Sequence, residues 1–161
     1  MTPFIEKFRE VGARETRSIM VNKHEDLPDG EYDFVELYCN EPGCDCRRVI
    51  IDVLRPETGF KKVWATIGYG WESLDFYRKR GWPADDPDEM KGPYLDMLNP
   101  QSEHSDTLLT IFRVILESPD YVERLKRHYR MFKDAVDMET GRIENRRKRL
   151  RNPRRRRKHP R

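Results

Sequence analysis

The sequence predicts an α+β fold: a four-stranded antiparallel β-meander, a cysteine knuckle at one end of it, a helical C-terminal half and a disordered basic tail. Three observations lead to this prediction. Strand-like runs, one of which alternates at residues 31–39, fill residues 15–67, helical spacing dominates from residue 71 onward, and residues 142–161 carry 12 of the 32 Lys and Arg. We therefore expect one ordered domain over residues 1–141 and a tail over residues 142–161.

The N-terminal half is predicted to contain one helix followed by the meander. Residues 3–13 have helical spacing in Phe4, Ile5, Phe8 and Val11. Four runs rich in β-branched or aromatic residues then predict strands at residues 15–22, 31–39, 47–54 and 60–67. Turn residues between the runs make each connection short, which favours antiparallel neighbours.

The C-terminal half is predicted to be helical. Residues 71–81 form a first helix, and residues 105–117 are apolar around most of a helix, which indicates a buried element. Ser118 and Pro119 then provide the start of a longer helix. Its apolar stripe, spaced 3, 4, 3 and 4, is Val122, Leu125, Tyr129, Phe132 and Val136. The stripe packs within one chain or forms a homodimer seam.

The charge is divided sharply along the chain. Residues 142–161 hold 12 bases and one acid, a net +11, whereas residues 1–141 hold 20 bases and 28 acids, a net −8. A segment so basic cannot build a core, so we expect disorder in isolation. Its charge favours binding to nucleic acid. The predicted contacts are Arg146, Arg147, Lys148, Arg149, Arg154, Arg155, Arg156, Arg157 and Lys158. A targeting signal, an anionic membrane and neutralisation of the acidic body are the alternatives.

The three cysteines of the chain, Cys39, Cys44 and Cys46, fall within eight residues. In a reducing compartment, clustered thiols indicate a metal site more than a disulfide. Thiolates select zinc or an iron–sulfur cluster over hard cations, and we predict Zn²⁺. Three ordinary cysteines without a metal remain the alternative.

A structural zinc site takes four ligands, so the cluster lacks one. His104 ranks first because it begins a predicted helix after a long loop and could fold over the knuckle. Glu72 ranks second, since the meander should return the end of the fourth strand to the knuckle, and water ranks third. His24 lies at the opposite end of the second strand, more than about 20 Å away.

Several function classes find no support in the sequence. No apolar run approaches the ~18 residues of a membrane span, and the N-terminus has no signal-peptide core, so we expect a cytoplasmic protein. No hydrolase, phosphate-loop or metalloprotease motif occurs. The aromatic strip from Tyr69 to Trp82 is expected to pack between sheet and helix, although nucleic-acid stacking is the alternative. The acidic residues between 85 and 89 are expected to form a solvated loop.

The predicted function is therefore a small intracellular zinc-binding module, non-enzymatic, whose tail contacts DNA or RNA. A protein–protein adaptor that self-associates is the first alternative. A small metalloenzyme with an open zinc position is the second.

Overall fold

The computed structural model describes residues 1–59, 62–81 and 91–151, without the side chains of residues 146 and 148–151. Its strands are β1 (Thr2–Pro3), β2 (Arg17–Val21), β3 (Gly30–Tyr38), β4 (Arg48–Leu54), β5 (Val63–Gly70) and β6 (Tyr94–Leu95). Its helices are α1 (Phe4–Lys7), α2 (Arg9–Glu15), α3 (Leu74–Arg78), α4 (Ser105–Leu116) and α5 (Pro119–Arg151). The predicted α+β class is confirmed.

The described strands form one antiparallel sheet. Strands β2 to β5 pair in chain order, which confirms the predicted meander. Strands β1 and β2 share one edge of β3: Pro3 lies opposite Leu37, and Val21 lies opposite Gly30. Strand β6 pairs with β5 at the other edge of the sheet. Strands β1 and β6 were not predicted, because a strand of two residues is too short to show an alternating pattern.

The core lies on the inner face of the sheet, where helices α4 and α5 pack. Phe34 of β3 stacks on Phe112 of α4 with ring centroids 5.8 Å apart. Tyr38 of β3 lies 5.7 Å from Phe132 of α5, and its hydroxyl donates to the Leu125 carbonyl oxygen at 3.0 Å. Helix α4 buries only one face, because Val114 is 61% exposed, whereas the sequence predicted burial around most of this helix.

The apolar stripe of α5 is used inside the chain. Four of its five residues are buried in the core, namely Leu125, Tyr129, Phe132 and Val136, and Val122 is half-buried. The stripe therefore packs within one chain, the first of the two alternatives, and the homodimer seam stays a prediction.

The N-terminal segment forms two short helices, whereas the sequence predicted one. The break is at Phe8, whose backbone leaves the helical region (φ −129°, ψ 64°). This turn allows Phe8 to stack on Phe4 at 4.9 Å while Phe4 stacks on His128 at 4.1 Å.

Helix α5 continues ten residues beyond Gly141, the boundary that the sequence predicted for the ordered domain. Arg, Lys, Glu and Leu are good helix formers, and a helix that is already nucleated extends at little cost. Residues 152–161 lie outside the described part of the chain, as do Trp82 and the acidic residues 85–89. No helix among the described residues is long and apolar enough to span a membrane.

Candidate metal centre

The three cysteines are brought together by the antiparallel pairing of β3 and β4. Cys39 follows the last residue of β3, and Cys46 lies two residues before the first residue of β4. The loop between them turns through a hydrogen bond from Cys44 N to Glu41 O at 3.3 Å. Gly43 (φ 70°) and Arg47 (φ 47°) adopt left-handed conformations, which fold the loop back on itself.

The three sulfur atoms lie within 4.8 Å of one another, so they could hold a metal ion. Zn–S bonds of about 2.3 Å at tetrahedral angles would place the sulfur atoms about 3.8 Å apart. The predicted cluster therefore exists in the fold as a compact set of three thiols.

The thiols differ in burial, and burial raises their pKa values where a shift is resolved. Cys46 is buried, whereas Cys39 and Cys44 are partly exposed. Burial, together with the neighbouring Cys44 and Cys39, raises the pKa of the Cys46 thiol to about 12. Burial and a hydrogen bond with Cys39 likewise raise the pKa of Cys44. Without a metal, Cys44 and Cys46 are thus held as neutral thiols at pH 7, and a metal must displace their protons to bind.

Helix α5 holds the cysteine loop by hydrogen bonds to its backbone. Lys133, only 8% exposed, donates to the Glu41 carbonyl oxygen at 2.6 Å and to that of Cys39 at 3.4 Å. One turn later, Asp137 Oδ1 accepts from Gly43 N at 3.1 Å. The loop and the helix therefore form one unit in which a buried ammonium group lies close to the cysteines.

Charged residues form a polar rim beside the thiols. Arg47 Nε donates to Asp45 Oδ1 at 2.9 Å, and Arg80 Nη2 donates to Asp45 Oδ2 at 2.8 Å. Burial opposes ionisation of Asp45, but the hydrogen bond and charge of Arg47 hold its pKa below the usual value. Arg47 Nη1 also donates to Glu72 Oε1 at 3.0 Å. Asp45 and Glu72 are therefore engaged with guanidinium groups.

The structure does not bring His104, the first-ranked fourth ligand, to the three cysteines. His104 stacks on Trp64 with ring centroids 5.2 Å apart, near the first residue of β5, whereas the knuckle lies beside the last residue, Gly70, which pairs with Arg48. Six residues of strand span about 20 Å. Glu72 lies near the knuckle as predicted but pairs with Arg47. In the described part of the chain, no fourth His, Cys, Asp or Glu joins the three cysteines.

The aromatic strip follows the expectation of packing in its described part. Tyr77 is buried, and its hydroxyl donates to the Arg47 carbonyl oxygen at 2.9 Å. This contact needs glycine at position 70, where a Cβ would lie 2.3 Å from the Tyr77 hydroxyl oxygen. Trp71 packs edge-on against Tyr129 at 5.3 Å. The strip therefore contacts both the knuckle, through Tyr77, and α5, through Trp71.

The predicted nucleic-acid contacts are distributed over two regions. Arg146, Arg147, Lys148 and Arg149 lie on the last turns of α5, where the described side chain of Arg147 is exposed. Arg154 to Lys158 lie outside the described residues. Val136 is the last buried residue of α5 among those whose side chains are described, and the described residues 142–145 and 147 are exposed beyond the core.

A buried charged cluster on the other side of α5 was not predicted. His128 Nδ1 lies 2.7 Å from Glu36 Oε2, and its Nε2 lies 3.1 Å from Glu15 Oε2. Arg127 also contacts Glu15. His128 lies three residues after Leu125 and four before Phe132, so its place on the buried face could have been found from helical spacing.

Comparisons with known proteins give no relative. No protein-family model, no curated protein and no solved structure matches this chain. The inference of function therefore depends on the cysteine cluster and on the charge distribution.

Proposed function

We propose that the chain is a zinc-binding module in which the metal fixes the cysteine loop against α5, and that the basic end of α5 and the following residues bind nucleic acid. The observation that carries the proposal is the convergence of all three cysteine sulfur atoms within 4.8 Å. Thiolate ligands favour zinc. Three thiolate ligands leave at most one coordination position for a fourth group, which favours a structural metal over a catalytic one.

The charge around the cluster supports this proposal. Three thiolates and one Zn²⁺ carry a net charge of −1. The Lys133 ammonium group, held by the Cys39 and Glu41 carbonyl oxygens, is close enough to favour the thiolate form of Cys44. A water molecule is the proposed fourth ligand, because the described His, Cys, Asp and Glu residues supply none.

The same contacts connect the metal to the basic helix. Residues 142–161, the basic end of α5 and the residues that follow it, are called the basic arm. Lys133 and Asp137 lie on α5 within fourteen residues of Arg147, so the loop that would hold the metal also contacts the part of α5 from which the basic arm extends. Zinc would thus keep the arm in one direction relative to the acidic body. The arm supplies Arg and Lys, which contact phosphates and give affinity without reading a base sequence.

The metal content of the purified chain tests the proposed zinc site. Purified chain grown with zinc should contain one zinc atom per molecule, and Cys39→Ser, Cys44→Ser or Cys46→Ser should lose most of it and melt at a lower temperature. His104→Asn and Glu72→Gln are matched controls that should keep full metal content. Wild-type chain with far less than one metal atom and three freely titratable thiols would contradict the site.

The salt dependence of binding measures the second half. The affinity of the full chain for a mixed-sequence duplex should fall as the salt concentration rises. In a plot of log affinity against log salt concentration, each phosphate contact should add about 0.9 to the steepness of the slope. Replacement of Arg146, Arg147 and Arg149 by Gln should reduce the slope by up to about 3. Equal replacement of Arg9, Arg14 and Arg113, exposed on the body, should leave it unchanged. Equal losses in the two variants would contradict a role for the arm.

A further inference from the structure

The outer face of the sheet carries a groove whose charge is opposite to that of the basic tail. The groove has a volume of about 530 Å³, within the range of roughly 300–1,000 Å³ usual for ligand sites. Its floor is apolar and includes Ile5, Val35 and Leu54. Three carboxylates, those of Glu6, Glu31 and Asp33, line it, and no basic side chain is among the described lining residues.

These carboxylates are not neutralised by neighbouring cations. The side chains of Glu6 and Glu31 make no ion pair with described residues, and Asp33 accepts a hydrogen bond from the Ser18 hydroxyl group. The nearby Lys7 is already paired with Glu139 at 2.7 Å, and Arg55 is paired with Glu57 at 3.6 Å. The groove is therefore a concentrated part of the −8 charge of residues 1–141.

An apolar floor with an acidic rim suits arginine more than any other side chain. The aliphatic stem of arginine packs on apolar surface, while its guanidinium group forms paired hydrogen bonds with a carboxylate. Residues 154–157 are four consecutive arginines, followed by Lys158. We propose that this segment of the same chain docks in the groove when nucleic acid is absent.

The distances permit this contact within one chain. The ion pair between Lys7 and Glu139 places α5 directly beside α1, whose residues Ile5 and Glu6 line the groove. From Glu139 to Arg151 the helix rises about 18 Å. Residues 152–158 span up to about 24 Å when extended, so Arg157 and Lys158, near the end of the segment, can return to the level of α1.

Docking would compete with nucleic acid for the same side chains, and this consequence depends on the proposed function. If the tail is docked nine-tenths of the time, the apparent dissociation constant for a duplex rises about tenfold. Neutralising the groove should remove that increase. The contact itself does not depend on nucleic-acid binding and can be measured without it.

The direct test uses the full chain with the photo-crosslinking residue p-benzoylphenylalanine in place of His159. Irradiation in 0.1 M salt should join position 159 to peptides that contain residues 1–18 or 31–35, as identified by mass spectrometry. In 1 M salt, where the Debye length falls from about 10 Å to about 3 Å, these products should disappear.

A charge-matched pair of variants separates the groove from general attraction. The groove variant carries Glu6→Gln, Glu31→Gln and Asp33→Asn, and the control carries Glu25→Gln, Glu117→Gln and Asp134→Asn, which are exposed and do not line the groove. The groove variant should lose the products and the control should keep them. Loss in both, or in neither, would overturn the proposal, provided that both variants melt like the wild type.

Two further outcomes are informative. Mixing isotope-labelled and unlabelled chains shows whether the products join two molecules; mixed products would overturn docking within one chain in favour of a second copy. If the groove products form but no variant binds a duplex, the docking proposal survives and the proposed nucleic-acid function fails. With both proposals correct, the groove variant binds the duplex up to tenfold more tightly than the control.

Discussion

Two buried tyrosines differ in what their hydroxyl groups contact. The Tyr38 hydroxyl lies 2.8 Å from Glu36 Oε2 and 3.0 Å from the Leu125 carbonyl oxygen, and so joins β3 to α5. The Tyr121 hydroxyl is buried without a described hydrogen-bond partner. Tyr38→Phe should therefore lower the free energy of unfolding by about 2 kcal/mol, whereas Tyr121→Phe should be neutral or stabilising. Urea denaturation of both variants measures this, and equal losses would contradict the assigned contacts.

Asp52 gives a pH dependence whose sign can be derived. Burial raises the pKa of Asp52, and the negative charge of Asp96 raises it further, although the hydroxyl of Thr66 donates a hydrogen bond that opposes both. Because the folded state favours the protonated carboxyl group, stability is lost as the pH rises through the folded pKa. At pH 3 the group is protonated in both states.

Asp52→Asn should therefore stabilise the chain relative to the wild type more at pH 7 than at pH 3. Chemical denaturation at the two pH values gives the difference, with the exposed Asp134→Asn as the control that should show little change. A stability difference that is the same at both pH values would contradict the raised pKa.

At the scale of elements, two glycines should respond in opposite directions to replacement by alanine. Gly141 lies within α5, and a Cβ there would meet nothing within 4 Å, so Gly141→Ala should stabilise the basic end of the helix by up to about 1 kcal/mol. Gly43 also has open space, but its φ of 70° is unfavourable for alanine. Gly43→Ala should destabilise the cysteine loop by about 1–2 kcal/mol.

Circular dichroism and thermal melts of the two variants provide the measurement. Helical content should rise for Gly141→Ala, while zinc affinity should fall for Gly43→Ala because the loop presents Cys44. If both variants behaved alike, the different backbone conformations of the two glycines would not be the controlling factor.

The elements that could be predicted are those with a long periodic pattern. Strand β3 alternates over nine residues, and β2, β4 and β5 are runs of five to eight residues that contain β-branched residues. The proximity of Glu72 to the knuckle followed from the meander alone. The partner of His104 could not be predicted, because the loop that precedes it has no periodicity that fixes its path. His104 is the N-cap of α4, and neither this place nor its apolar neighbours decide what its ring packs against. The stacking of His104 on Trp64 is a tertiary contact.

The cysteine cluster shows the same limit at the residue level. Sequence spacing predicted that the three thiols would meet, since they lie in one loop between paired strands. It could not supply Lys133 and Asp137 as the groups that hold this loop, because their contacts span more than 90 positions in the chain. Long-range partners of this kind depend on the register of α5 against the sheet, which the apolar stripe alone does not determine.

At the scale of the whole molecule, the acidic body should fold without the basic arm. Val136 is the last buried side chain of α5, so residues 142–161 add no described core contact. A chain ending at Gly141 should give a cooperative melt within a few degrees of the full chain. Its circular dichroism should lose only the signal of the last turns of α5, and loss of cooperative folding would contradict the division into body and arm.

The length of α5 makes the position of its C-terminal end sensitive to the angle of the helix. Its last contact with the cysteine loop is Asp137, and fourteen residues of helix, about 21 Å, separate that fulcrum from Arg151. A tilt of about 10° at the fulcrum would move the tip by nearly 4 Å, more than the length of a hydrogen bond. Small changes in how the cysteine loop holds the helix at Lys133 and Asp137, or in the ion pair of Lys7 with Glu139, would therefore be magnified at the basic end of the helix.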